Sequence, residues 1–342
     1  MIYQFDNGTF KGEIDAEGRM LKGEFTTNSG DVFVGEWRNN VIYKGKATYV
    51  SGNVYEGTFF NGLRHGMGTL YYANGDIYTG KFVNGKKHGK GTYQSASGNR
   101  YEGKWADDKM MGKGVLYFKS GTKIIGKWNG EEAVGKAVVK LHTGGVYKGY
   151  LLHRKYHGKG VLKFASGDVY KGEFKNGRLN GYGVMKQTDG SSYKGEFVDD
   201  KMHGFGTMQL KDGSKYVGGF KEGLIHGKGR ITTPKGENYN GSFKDGVRCG
   251  YGEGTFPNGK KYNGEWANDV PNGKGTFWYK TGEMYNGEVL DGLPHGKGAV
   301  YFNGGDKYEG EFNKGLKHGY GKYTTVKGTV YEGNWENDNF MG

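Results

Sequence analysis

The sequence predicts an all-β protein: one elongated antiparallel sheet of tandem 23-residue β-hairpins, a single continuous array over residues 1–342. Three observations carry this reading. Aromatic or aliphatic anchors recur at Phe10, Phe33, Tyr55, Tyr78, Tyr101, Ile124, Tyr147, Tyr170, Tyr193, Tyr216, Tyr239, Tyr262, Tyr285, Tyr308 and Tyr331, always 23 apart except for 22 between Phe33 and Tyr55. A fixed period of this kind marks a repeat array. Apolar residues and glycines alternate after each anchor, and a turn dipeptide follows at a constant offset.

With the anchor as position 0, position 2 is Gly in every repeat and position 4 is apolar, with Trp37, Trp105, Trp128, Trp266 and Trp335 among them. That period of two puts the anchor and position 4 on one face of a strand. Positions 6 and 7 read Asn61-Gly62, Asn84-Gly85, Asn176-Gly177, Asp245-Gly246 and Asp291-Gly292, the dipeptides that supply the positive φ of a type I′ hairpin turn. Asp107-Asp108, Asp199-Asp200 and Asn268-Asp269 are weaker forms of the same turn. The return strand carries glycines such as Gly66 and Gly68, and another Gly three residues before the next anchor closes the second turn. A simple two-residue turn then sets position 2 opposite position 11 and the anchor ring opposite position 13. A large ring lying on a cross-strand Gly covers backbone that Gly leaves bare. Counted this way the array has about 29 strands and, at ~4.8 Å each, a length on the order of 140 Å.

The other face is polar. Lys22, Lys44, Lys90, Lys113, Lys136, Lys159, Lys228, Lys274 and Lys297 stand between the two return-strand glycine positions, and Glu36, Glu173, Glu196, Glu265, Glu288 and Glu311 occupy position 3. This is the alternation of a sheet wetted on one side. The first two repeats lack the His-Gly step, the anchor at Ile124 is aliphatic, and Ala137 replaces a Gly in that same repeat.

Composition narrows the function classes. Gly at 69 residues is far above ordinary usage, but it is not spaced every third residue, which excludes collagen. Tyr at 27 and Phe at 19 exclude a disordered linker. The single cysteine, Cys249, leaves no intramolecular disulfide framework and points to a reducing compartment. No apolar run is long enough for a membrane helix, and MIYQFDNGTF has no signal-peptide pattern. The net charge is +13, concentrated in residues 51–250, where 33 Lys and Arg face 17 Asp and Glu. A basic middle suits an acidic partner, and Lys86, Lys87, Lys90, Lys109, Lys113, Lys155, Lys159 and Arg178 are the candidate contacts.

No residue pattern calls for catalysis, a cofactor or a metal. Seven histidines share position 10 (His65, His88, His157, His203, His226, His295 and His318), but equivalent positions in neighbouring repeats lie two strands, roughly 10 Å, apart. Zinc ligands must each come within ~2.1 Å of one ion, so these side chains are expected to bond backbone or water instead. Gly89–Thr92 reads Gly-Lys-Gly-Thr but lacks the spacing and following helix of a phosphate loop. The rings sit at positions the fold itself requires, so nucleic acid is the least favoured partner.

The motif Y-x-G-x-[FW]-x-N-G-x-x-x-G-x-G, as in Tyr55–Gly68 and Tyr308–Gly321, resembles the MORN repeat, the membrane occupation and recognition nexus. The resemblance extends over essentially the whole chain. It implies a twisted antiparallel sheet, and the all-repeat layout is similar to the cytoskeletal MORN scaffolds of protists. The function it implies is that of a non-enzymatic scaffold for cytoskeletal or cortical assemblies in the cytoplasm. The alternative is a peripheral module binding anionic phospholipids through the basic middle. A homodimer through the C-terminal repeats is expected as well. There the strand from Tyr331 to Trp335 is expected to lack a hairpin partner, and Tyr331, Trp335 and Phe340 form the candidate edge.

Overall fold

The computed structural model describes residues 1–342. The chain is all-β, with 31 strands in antiparallel sheet and no helix. It divides into two units: Met1–Ser166 with Phe174–Gly177, and Gly167–Glu173 with Arg178–Gly342. Two strands exceed the number counted from the anchors. Ile2–Phe5 pairs with the strand of Phe10, and Asn339–Phe340 pairs with the strand of Trp335.

Within each unit one hairpin frame repeats. In the first unit Val54–Phe60 leads into Leu63–Tyr71, and in the second Met284–Leu290 leads into Leu293–Tyr301. Asn61 and Gly62 have φ of 48° and 73°, and Asp291 and Gly292 have 49° and 78°, as a type I′ turn requires. Asp107 and Asp108 reach 46° and 67° without a glycine, and the Asp108 carboxylate accepts the Lys87 N–H of the preceding repeat at 2.9 Å. Asp200, Asp269 and Asp338 do the same for Leu179, Arg248 and Lys317. A turn without Gly is thus offset by a bond to its neighbour. The second turn, exemplified by Tyr72 to Asp76, bonds Gly75 N–H to Tyr72 O at 2.9 Å and holds Gly75 at φ 88°. That is a three-residue loop ending in a left-handed residue.

The register departs from the simple hairpin past position 3. Phe59 faces Arg64, but Gly57 faces Gly68 and Tyr55 faces Leu70. Between these pairs the return strand bulges, with Gly66 at φ 70°. Position 11 is therefore the bulge residue, and the two glycines brought opposite each other are at positions 2 and 13. Residues that open a bulge in the left-handed region are glycines for steric reasons. The second repeat lacks one residue here. Its return strand Val41–Thr48 has eight residues where Leu63–Tyr71 has nine, yet Gly35 still faces Gly45. The 22-residue spacing is a shortened bulge.

The ring stripe lies on that glycine pair. A Cβ on Gly68 would stand 2.4 Å from the Tyr55 Oη, and one on Gly57 2.5 Å from it. The phenol crosses both glycines and donates to the position-3 carbonyl: Tyr55 to Thr58 at 2.9 Å, Tyr216 to Gly219 at 3.0 Å, Tyr308 to Glu311 at 3.0 Å. Where both position-4 residues are aromatic, the anchor tyrosine is held edge-on between those of its own and the next repeat; Leu151 and Val289 take position 4 in the repeats of Tyr147 and Tyr285. Tyr216 is 5.2 Å from Phe220 and 5.3 Å from Phe243. Burial pushes the phenol of Tyr216 up to about 12. Where position 4 is Trp, its indole N–H donates to the position-13 Gly carbonyl of the preceding repeat, as Trp105 does to Gly91 at 3.2 Å and Trp335 to Gly321 at 3.1 Å. The repeat of Ile124 explains the exception. Without a phenol over the pair, a methyl fits opposite Gly126, and Ala137 is buried there, its Cβ 3.3 Å from where a Cβ on Gly126 would stand.

Candidate functional site

Strand alternation sorts the candidate cations onto two faces. Lys87, at position 9, points to the ring side. Its Nζ lies 4.7 Å from the Trp105 ring centre, 5.2 Å from Tyr93 and 5.8 Å from Tyr78, and burial lowers its affinity for a proton. It is a cation–π element of the core and not a free contact. Lys317 repeats the arrangement over Trp335 at 4.8 Å in the second unit. Lys86, Lys109 and Lys155 follow the type I′ turns and are exposed at the hairpin ends. Arg178 belongs to the second unit and is paired with Asp199 at 3.5 Å. Lys90, Lys113 and Lys159 stand at position 12 and are exposed on the polar face.

Lys90 and Lys113 belong to a longer row, of which they are the two members among the candidates. Lys104 lies directly opposite Lys90, and Lys127 directly opposite Lys113. Lys81 and Lys136 extend the row at either end, so six consecutive strands each present one lysine at this level. All six are exposed, and none is in an ion pair. Like charges directly opposite across a ladder are destabilising. Three of the missing members, Lys81, Lys104 and Lys127, were visible as lysines at position 3 of three successive repeats, and Lys136 as the position-12 lysine of the last of them. What concealed the row was the pairing between repeats, which the assumed register did not address.

Beside the lysines runs the glycine line, with Gly80 facing Gly91, Gly91 facing Gly103, and Gly103 facing Gly114. Its ring side is covered, and its other side forms the floor of a trough. Two adjoining concavities follow it and share Lys113. One is lined by Thr79, Thr92, Glu102, Lys90 and Lys104, the other by Val115, Ile125, Lys127 and Lys136. Glu102 is already engaged, by Arg100 at 2.8 Å and by the Tyr117 hydroxyl at 3.1 Å.

The position-10 histidines bond locally in the cases with close partners. His65 Nδ1 accepts the Asn84 N–H at 3.4 Å, and His226 Nδ1 lies 3.3 Å from Asp245 Oδ1. The Nδ1 atoms of His157, His203 and His318 are buried without a partner. No group of three or more His, Cys, Asp or Glu is placed to hold a metal ion.

At the C-terminal edge the expected unpaired strand is partly covered. Phe340 faces Trp335, and Asn334 exchanges backbone bonds with Met341 and Gly342. Trp335 is buried, with Phe340 5.2 Å away and Lys317 above it. Tyr331 is 45% exposed, whereas the anchor tyrosines from Tyr55 to Tyr308 are buried.

A family model described as MORN repeat matches residues 55–77, 78–100, 101–123, 147–169, 170–192, 193–215, 216–237, 239–261, 262–284, 285–307, 308–330 and 331–342. The twelve matches omit the repeats of Phe10, Phe33 and Ile124, the three whose anchor has no phenol to lay over the glycine pair. No curated protein matches the chain. Among solved structures, the TCP10 domain of Danio rerio CPAP in complex with a peptide of Danio rerio STIL is 13% identical, with 71% of this chain and 92% of that chain covered and a TM-score of 0.31. The TCP domain of Drosophila melanogaster SAS-4 in complex with a proline-rich motif of Ana2 is 12% identical, covering 59% of this chain and 90% of that one at a TM-score of 0.27. Likenesses at this level carry no functional conclusion.

Proposed function

The chain belongs to the MORN repeat family, and we propose that it is a non-enzymatic scaffold that organises cytoskeletal or cell-cortex assemblies in the cytoplasm. One observation carries the reading. A constant hairpin frame presents, at one level of its polar face, blocks of different chemistry. Lysine faces lysine at Lys90–Lys104 and Lys113–Lys127, lysine faces glutamate at Lys274–Glu288 and Lys297–Glu311, and exposed rings stand at Tyr182, Phe205 and Tyr251. The frame's own needs are met on the ring side, so these blocks are free to differ as separate partner surfaces. Proximity labelling in the native cell tests this. Enrichment of cytoskeletal or cortical proteins is expected, and labelling indistinguishable from a freely diffusing control would defeat the reading.

The lysine row favours a second reading, a peripheral module on anionic phospholipid. Each lysine near such a surface adds about 1 kcal/mol. Flotation with anionic vesicles at low and raised salt separates the two, because electrostatic binding must weaken as salt rises.

We further propose a homodimer through the C-terminal repeats, on the exposure of Tyr331 and Phe340 beside the two-residue strand Asn339–Phe340. Light scattering should give a dimer for the full chain and a monomer for Phe340→Glu. A monomeric unaltered chain rejects it.

A further inference from the structure

We propose that the trough beside the lysine row takes an extended acidic polypeptide segment, one whose acidic residues alternate with apolar ones. The inference names a partner for one surface of the scaffold and rests on that reading.

The first ground is charge. Two Lys–Lys pairs stand directly opposite each other with no counter-ion, and Lys81 and Lys136 continue the line. At the same level of the second unit Lys274 faces Glu288 and Lys297 faces Glu311, so the frame accommodates the neutralised pair without difficulty. A row that opposes its own charges is incomplete until an anion arrives from outside.

The second ground is shape. The lysines are in single file, one per strand, and six strands at ~4.8 Å make a file about 24 Å long. They form only one wall. The other wall is set by successive cross-strand pairs, Thr79 with Thr92, Glu102 with Val115, Val115 with Ile125, and Ile125 with Val138. For half its length the trough is therefore cationic on one side and apolar on the other. A flat bilayer would meet the outermost side chains and leave this floor unused. An extended chain rises ~3.4 Å per residue and turns successive side chains to opposite sides, so about seven residues fill the file. Their carboxylates would face the lysines and their apolar side chains would face Val115, Ile125 and Val138.

The test is fluorescence anisotropy on the full chain with a labelled peptide of alternating Glu and Val, about eight residues long. Comparison probes are a peptide of the same composition with all Glu before all Val, a Lys-Val peptide, and phosphatidylserine vesicles. The alternating peptide should bind best and weaken as salt rises. The double variant Lys104→Glu with Lys113→Glu should weaken it ~10-fold or more, as lost charge complementarity does at an interface. That variant gives Lys90 and Lys127 opposite partners, so an unchanged or raised melting temperature shows that the loss is not unfolding. Lys297→Glu in the second unit should leave peptide binding unchanged. Equal binding by the double variant, equal or better binding of the blocked peptide, or capture by vesicles alone would each overturn the proposal. If the double variant also retains the same cellular neighbours as the unaltered chain, the trough assignment fails while the scaffold reading stands.

Discussion

Residues 78–136 in the first unit and residues 262–320 in the second are built on one frame and dressed differently. On the ring side they are nearly interchangeable. Tyr101 packs between Trp105 and Trp128, and Tyr308 between Phe312 and Trp335, at centre distances of 5.2 to 5.6 Å. On the polar side the first shows lysine against lysine, and the second shows lysine against glutamate together with exposed Tyr320. The comparison teaches that the constant packing and the variable chemistry are carried by opposite faces of the same strands, stability resting on the first and, on the proposed reading, recognition on the second. A change to the ring side should act alike in both regions, and a change to the polar side should act with opposite sign.

High pH should remove the shared face altogether. Burial pushes Tyr101 and Tyr308 up to about 12, against an ordinary phenol near ~10. Below ~10 folded and unfolded chains both keep these protons. Above it the unfolded chain releases them first, so the folded state holds more protons and stability falls as pH rises toward 12. Tyrosinate absorbance and loss of β circular dichroism are expected to appear together in that window. Tyrosinate forming with the sheet intact would show that the rings are not protected.

Removing one ring comes next. Tyr101→Ala and Tyr308→Ala should each cost about 3–5 kcal/mol of local stability. Hydrogen exchange should accelerate in the altered repeat and its immediate neighbours, since stability in such arrays is largely a nearest-neighbour sum. Clearly unequal costs in the two regions would refute the equivalence of the ring side. A methyl under the ring is a smaller insult. A Cβ on Gly91 would stand 2.3 Å from the Tyr78 Oη, and one on Gly298 2.5 Å from the Tyr285 Oη. Gly→Ala at either is expected to cost about 1–3 kcal/mol in denaturant melts, whereas Ala137→Gly should cost only ~0.5–1 kcal/mol.

The polar side should give the smallest effects, and they should differ in sign. Lys104→Glu is expected to stabilise by up to ~1 kcal/mol and Glu311→Lys to destabilise by a similar amount. Added salt should shrink both differences.

Much of the frame was legible in the sequence because steric demands admit few residues. Asn-Gly at positions 6 and 7 dictated the turn, and the Tyr–Gly alternation dictated which face carries the rings. The register beyond position 3 was not legible. A glycine can serve a ring above it, as Gly68 does, or a left-handed bulge, as Gly66 does, and the letter is the same. The site suffered for that reason. Lys86 and Lys87 are adjacent in sequence but fall on different sides, and Lys104 entered the row only through its pairing with Lys90.

The shortened second repeat shows where the chain keeps its slack. One residue is missing between the turn at Asn39-Asn40 and Gly45, yet Gly35 meets Gly45 and Trp37 remains buried. A deletion at that point changes the outline of one bulge and nothing downstream. The same deletion between an anchor and its position-2 Gly would turn a ring to the wet face, because side chains alternate with period two. Repeat length in this chain can therefore drift by single residues at this link, and a tag or cross-linker meant to leave the ladder in step belongs there.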